Sequence, residues 1–155
     1  MDTQLVITDY APEFRADFKR LNIAWISKYF TVETHDLEQL DDPEHHILAP
    51  GGLIFLAHLD GQVVGTVALV PMPETGVFEL AKMAVDEAYQ GRQIGKKLGE
   101  ALIARARALG ARRLVLESNR RLAPALALYE RLGFREVPLV PTPYARADIR
   151  MEMDC

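Results

Sequence analysis

Val85 to Leu98 reads VDEAYQGRQIGKKL, and the order of residue types in it decides how the chain is built. The β-branched and apolar run Val77–Val85 (VFELAKMAV) enters it as a strand, a short loop follows, and a helix begins at Gln93-Ile94-Gly95. That helix runs to about Leu109 with Ile94, Leu98, Leu102, Ala106 and Leu109 on one face, and Gly110 suits its carboxyl-terminal cap. The first turn of a helix has backbone N–H groups without partners and carries the positive end of the dipole, so it attracts anions. Gly91 and Gly95 allow a bulky phosphate group to approach, and Arg92, Lys96 and Lys97 add positive charge beside it. A pyrophosphate is the natural guest; a plain tight turn is the alternative reading of the same residues. The stretch lacks the Gly-x-x-x-x-Gly-Lys-Ser/Thr of a P-loop, and it lacks the third glycine of the dinucleotide fingerprint.

Working outward, Leu5–Tyr10 (LVITDY) reads as a strand, and Pro12 opens a helix with Phe14, Phe18, Leu21 and Trp25 on one stripe. A weaker helix covers Asp36–Leu40 and stops at Asp42-Pro43. The next strands, Leu53–Leu59 and Val63–Val70, flank Asp60-Gly61, a strong hairpin signal. Beyond the Ile94 helix come a short buried strand, Leu114–Glu117, and a helix carrying Leu122, Ala125, Leu126, Tyr129 and Leu132, capped by Gly133. Two last strands fall near Phe134–Val140 and Asp148–Met153. The order is β-α-α-β-β-β-α-β-α-β-β. The hairpin strands must pair antiparallel, while the strands around the Ile94 helix must be parallel neighbours through a right-handed crossover. The expected fold is α/β: one mixed, mostly antiparallel central sheet with one parallel pair, flanked by helices.

The chain has 155 residues, enough for one core, with no repeat, low-complexity segment or linker; residues 1–155 are expected to form a single domain. Hydrophobic residues at 49% and charged residues at 26% are the balance of a globular protein. A net charge of −4 argues against a duplex nucleic acid partner. Met1-Asp2-Thr3-Gln4 has no basic region leading into an apolar stretch, and no apolar run nears the ~20 residues of a membrane span. The lone cysteine, Cys155, is the last residue and leaves no internal disulfide. The expectation is a cytoplasmic protein without membrane attachment.

Two motifs then carry a resemblance. Gln90-Gly91-Arg92-Gln93-Ile94-Gly95 is similar to the Arg/Gln-x-x-Gly-x-Gly/Ala signature of the GNAT superfamily of acetyl-CoA-dependent N-acetyltransferases, with Gln93 in place of the middle glycine. Ala125-Leu126-Ala127-Leu128-Tyr129-Glu130-Arg131-Leu132-Gly133-Phe134 resembles the same family's A-x-x-LYE-x-xGF segment, at the family's spacing. Where the family often has an asparagine seven residues before the tyrosine, this chain has Leu122, with Asn119 slightly upstream. The element order is also the family's, so the resemblance covers nearly the whole chain.

The resemblance implies that the strand Val77–Val85 splays from its parallel neighbour and that the pantetheine arm of acetyl-CoA lies in the gap. Met83, Ala84 and Val85 would line the arm, with the Met83 N–H as donor to the thioester oxygen. Gln90, Gly91, Arg92, Gln93, Ile94, Gly95 and Lys96 would hold the pyrophosphate, and Asn119 joins the cofactor side. Arg120 or Arg121 either meets the 3′-phosphate or lies on a solvated face. Tyr129 matches the family's general acid, which protonates the CoA sulfur; by pattern alone it is a core tyrosine. Glu79 is the candidate for the amine proton, directly or through water, since strand alternation puts Glu79, Ala81, Met83 and Val85 on one face. Its alternative is an ion pair with Lys82.

For the acceptor, a small-molecule amine or amino-acid-like compound, the family's first two helices nominate Trp25 and Tyr29. The acidic stretch Glu33–Glu44 either draws a cationic amine or is a solvated helix face. Tyr144 and Arg146 close the pocket in this reading, and Arg146 pairs with an acceptor carboxylate. His45-His46 beside Asp42 and Glu44 lacks metal-ligand spacing and reads as a surface loop, so no metal is expected. The implied activity is acetyl transfer to a primary amine; the family also suggests a homodimer. Two other readings stay open: a non-catalytic acyl-CoA sensor, favoured by Gln93, and an acetyltransferase acting on protein amino termini or lysines.

Overall fold

The computed structural model describes residues 4–155, so Met1-Asp2-Thr3 and the expectation built on them lie outside it. Seven strands form one sheet: β1 (Leu5–Asp9), β2 (Leu53–Leu59), β3 (Gln62–Pro71), β4 (Val77–Val85), β5 (Arg113–Ser118), β6 (Arg135–Val137) and β7 (Ile149–Asp154), in the order β1-β2-β3-β4-β5-β7-β6. Every pairing is antiparallel except β4 with β5. Four helices cover the sheet: α1 (Arg15–Tyr29), α2 (Thr34–Asp41), α3 (Ile94–Ala108) and α4 (Ala123–Leu132). The expected fold class and element order are the ones observed. No helix among the described residues is long and apolar enough to cross a membrane.

Sequence dictates the junctions in recognisable ways. Asp60 and Gly61 both take positive φ, 52° and 77°, the backbone of a two-residue turn whose twist matches the strands it joins. Pro138 has no N–H for a ladder, and β6 stops at Val137 instead of continuing to Val140 as expected. Asp42 to Ala49, expected as a loop, contains a π-helical turn at Glu44–Leu48 that buries Ile47. Two adjacent apolar residues, Ile47 and Leu48, in an acidic, histidine-rich stretch carry no helical period, which is why the turn was not legible.

The core has two halves, one on each face of the sheet. On one face α3 packs Ile94, Leu98, Leu102 and Ala106 over Val67, Leu69, Leu80 and Leu114, with Leu126, Tyr129 and Leu132 of α4 against the same cluster. On the other, Phe18, Leu40 and Ile47 cover Ile54, Leu56 and Ala68. Each fully buried side chain of this size contributes about 1.5–3 kcal/mol. Close approach matters as much as area: a Cβ on Gly99 of α3 would lie 2.6 Å from Leu132 Cδ1, so a side chain there would push Leu132 from its place.

Strand β4 carries two irregularities. Its parallel pairing with β5 covers only Val77↔Arg113, Phe78↔Leu114 and Glu79↔Val115; from Leu80 onward no described strand pairs with β4 on that side. Against β3, the register shifts between Ala81↔Ala68 and Ala84↔Thr66, so Lys82 and Met83 together oppose Val67. Lys82 sits at φ 53° in this bulge. Bulge and splay fall on the same few residues.

Candidate active site

A sheet paired along its length separates its two faces. Here the gap beyond Glu79 joins them, and one cleft is lined from both sides. Asn22, Trp25, Ile26 and Phe30 of α1 form one wall, and Leu122 and Tyr129 form the opposite wall at α4. Glu79 to Met83 of β4 and Glu117, Ser118 and Asn119 at the end of β5 make the floor, and Tyr144, Arg146 and Ala147 close one side.

Glu79 and Tyr129, the two residues expected to move protons, both line this cleft. Burial pushes the Glu79 carboxyl up to about 7, and the charge of Glu117 adds to the rise, while Lys82 and Arg150 pull the other way. A carboxyl poised near neutrality suits a general base. Burial alone pushes the Tyr129 hydroxyl up to about 12, so it keeps its proton at neutral pH. Phe134 meets its ring edge-on at 6.3 Å and fixes its plane. Glu117 was not foreseen, and one of its carboxylate oxygens is buried without a hydrogen-bond partner. It stands two residues past Val115, the partner of Glu79 in the parallel ladder, so strand alternation brings both carboxyls to the same face.

The bulge corrects the expected alternation. Phe78 and Leu80 pack toward α3, and Met83 and Val85 pack into that same cluster, so the face changes between them. Glu79 and Ala81 therefore do not share a face with Met83 and Val85; the extra residue at Lys82 shifts the period by one. Ala84 is buried on the side opposite Met83 and Val85.

Lys82 is the main residue that sequence reasoning missed. Its ammonium donates to Asp36 Oδ1 at 2.7 Å and to the Tyr144 hydroxyl at 2.9 Å, with side-chain exposures of 5% for Lys82 and 0% for Asp36. The expected partner, Glu79, is not the one that holds it. Arg146 donates to both Asp36 oxygens, at 2.7 and 2.8 Å, and to Glu33 at 3.2 Å. Asp36 also caps the start of α2 by accepting from the Glu33 N–H. Burial alone would raise the Asp36 pKa, but the bonds from Arg146 and Lys82 outweigh it and hold the carboxyl well below its usual range. Arg146 is thus committed to two carboxylates of its own chain, which corrects the expectation that it waits for an acceptor carboxylate. Tyr144 lies between the cations, 4.7 Å from Lys82 and 4.5 Å from Arg146 at its ring centroid.

The remaining acidic stretch splits. Asp41 pairs with Lys19, and Glu44 with Arg15 and the Tyr10 hydroxyl, all away from the cleft. Trp25 lines the cleft, whereas Tyr29 stands outside it, its ring tilted against that of Trp25 at 5.5 Å. Asn119 spends its side chain on backbone, donating to the Arg146 carbonyl at 2.7 Å and accepting from the Arg121 N–H at 2.9 Å. Arg120 pairs with Glu136, and Arg121 lies over the Phe30 ring at 5.2 Å. Asp42, His45 and His46 have donor atoms within 4.8 Å of one another, and the two imidazole rings lie 5.0 Å apart. All three are exposed.

The loop before α3 keeps the geometry of an anion site. Gln93, which stands where the resembling motif has glycine, is the helix N-cap at φ 61°, and its side chain does not cap the first turn. The first turn has no acidic residue, and Arg92, Lys96 and Lys97 are exposed around it. A side chain at Gly91 would point into open space, so it is the φ of 82° that calls for glycine in this turn. Gly95 serves packing as well: a Cβ there would meet Leu128 Cδ2 at 3.3 Å and Met83 Sδ at 3.7 Å. A left-handed non-glycine residue costs about 1–2 kcal/mol, so Gln93→Gly is expected to raise stability by up to ~1 kcal/mol, the gain trimmed by the looser unfolded chain. The urea midpoint of the variant checks this, and a lower midpoint contradicts it.

The model of the acetyltransferase (GNAT) family matches residues 17–134. The uncharacterized N-acetyltransferase YjgM of Escherichia coli is 32% identical over 128 residues, covering 80% of this chain and 75% of that protein. The N-acetylaspartate synthetase of Mus musculus is 31% identical over 119 residues, 77% of this chain, but the match spans only 38% of that protein's length. Among solved structures, a GNAT acetyltransferase from Staphylococcus aureus superposes with a TM-score of 0.88 at 22% identity, over 97% of this chain and 99% of its own. YncA of Salmonella typhimurium, solved with its cofactor acetyl-CoA, superposes with a TM-score of 0.76 at 22% identity, over 97% and 94%.

Proposed function

Because the chain belongs to the acetyltransferase (GNAT) family, we propose that it transfers the acetyl group of acetyl-CoA to the primary amine of a small molecule. The observation that carries the proposal is the cleft where β4 leaves β5, lined by Glu79 from one face of the sheet and Tyr129 from the other. In this reading the pyrophosphate lies at the uncapped first turn of α3 and the pantetheine arm enters the gap.

The amine nitrogen attacks the thioester carbonyl carbon while the carbon–sulfur bond breaks. Glu79, directly or through one water, takes the proton that the nitrogen gives up. Tyr129 gives its hydroxyl proton to the departing CoA sulfur, and solvent restores it. The Met83 N–H stabilises the negative charge that builds on the thioester oxygen.

A small acceptor is supported by the segment from Thr142 to Ala147, which Asp36, Glu33 and Lys82 tie down across one side of the cleft. A peptide would need that side open. The relatives named for N-acetylaspartate support amino acids as acceptors, and the commitment of Arg146 to Asp36 puts amines without a carboxylate beside them. The test is a panel of amino acids, simple aliphatic and aromatic amines and short peptides, followed by thiol release and by mass of the product. Saturable release with a small amine and a product heavier by one acetyl group is expected. Release with peptides alone would replace the proposal by a protein acetyltransferase.

A further inference from the structure

β4 carries a lysine where its backbone favours glycine. At φ 53° in the bulge, Lys82 accepts a strain that costs about 1–2 kcal/mol in a non-glycine residue. Burying an ammonium adds a desolvation cost that only well-placed partners offset. Both costs fall on the residue directly before Met83, at the point where β4 has left β5. A glycine would relieve the first cost and remove the second, so the side chain has to do something that folding of the strand alone does not need.

We propose that Lys82 and Asp36 form a latch that fixes the bulge of β4 and thereby aims the Met83 N–H at the thioester oxygen. The inference rests on the acetyl-transfer reading above and assigns Lys82 and Asp36 as positioning residues for it. Two groups accept from Lys82, and a third holds one of them in place. Asp36 takes its ammonium from α2, and the Tyr144 hydroxyl takes a second hydrogen at 2.9 Å. Arg146 locks Asp36 in turn with two bonds. Because Asp36 also caps α2, the bulge is tied to the start of a helix and not to one mobile side chain. Both ends of the Lys82–Asp36 bond are shielded from water, which keeps it directional. The end of β4 without such an anchor, unpaired on one side beyond Glu79, would let the 82–83 peptide rotate, and a displaced oxyanion donor loses most of its effect.

The test compares wild type with Lys82→Gly, which suits the local backbone but lacks the latch, and with Asp36→Asn, which removes the charge from the other end. Both are expected to lower kcat about 30-fold or more while the KM for acetyl-CoA stays within about threefold. A second readout does not depend on knowing the acceptor. With 15N-methionine labelling, the Met83 amide of the wild type is expected to shift between the CoA and acetyl-CoA complexes, and in Lys82→Gly that difference should collapse. Wild-type kcat in Lys82→Gly, with the Met83 shift preserved, overturns the latch. Loss of CoA binding in that variant also overturns it, by making Lys82 part of the cofactor site. A wild type that binds neither CoA nor acetyl-CoA brings down the acetyl-transfer reading itself.

Discussion

Tyr129→Phe is expected to lower kcat about 100-fold or more while leaving the affinity for acetyl-CoA unchanged. The exchange removes one oxygen and keeps the ring that packs edge-on against Phe134 and into the α3 side of the core. A positioned general acid contributes about 10²–10⁴-fold to such a step. The hydroxyl fits the role because burial holds its pKa near 12, so at neutral pH it carries a proton for the forming thiolate. Steady-state kinetics beside a calorimetric titration with acetyl-CoA check the split. Equal losses of turnover and affinity would mark Tyr129 as a packing residue instead.

Glu79→Gln is the second large effect, and it has opposite signs in activity and stability. As a base, Glu79 works only when ionised, so kcat/KM should rise through about pH 7 and fall roughly tenfold per pH unit well below it. The variant should lose that rising limb together with about 100-fold of the rate. For stability, the folded pKa of about 7 lies above the ordinary value of 4.5. The fold therefore favours the protonated carboxyl: the contribution is fully present below pH 4.5 and is lost as pH rises through 7. Glutamine has no charge to desolvate, so at pH 8 the variant should be more stable by about 3 kcal/mol, at roughly 1.4 kcal/mol per pKa unit. The advantage should vanish near pH 4.5. Thermal unfolding at the two pH values reads the difference, and a variant that is inactive yet no more stable at pH 8 would mean that Glu79 is not desolvated as described.

The fold was legible because its signals are local. Asp60-Gly61 fixes a hairpin, and Gly110 and Gly133, both at positive φ, close the crossover helix α3 and the helix α4 that follows it. Tyr129 was reachable through motif and spacing and Glu79 through strand alternation, and both line the cleft. What sequence reading lost lies beyond β-periodicity. The bulge at Lys82 inserts one residue into an otherwise alternating strand, and nothing in VFELAKMAV announces it, since lysine is a poor marker for a left-handed position. Once the period slips, Lys82 turns toward Asp36, 46 residues earlier in the chain, and Arg146 reaches the same carboxylate from 110 residues later. A buried ion network assembled over such distances has no signature along the chain. The acidic stretch was misread for a related reason: a buried aspartate and a solvated one look alike until the partner is in place.

Occupancy of the gap between β4 and β5 by acetyl-CoA is the central claim, and a thermal unfolding series with acetyl-CoA, CoA, ATP and NADH tests it most directly. A ligand that binds only the folded chain stabilises it by about 2.7 kcal/mol at a hundred times its Kd, so occupancy appears as a raised midpoint. Acetyl-CoA and CoA are expected to raise the midpoint, and ATP and NADH to leave it where it is. An unmoved midpoint with both thioester and free thiol would contradict the claim and return the chain to a family scaffold without its cofactor site, with Gln93 the first residue to exchange.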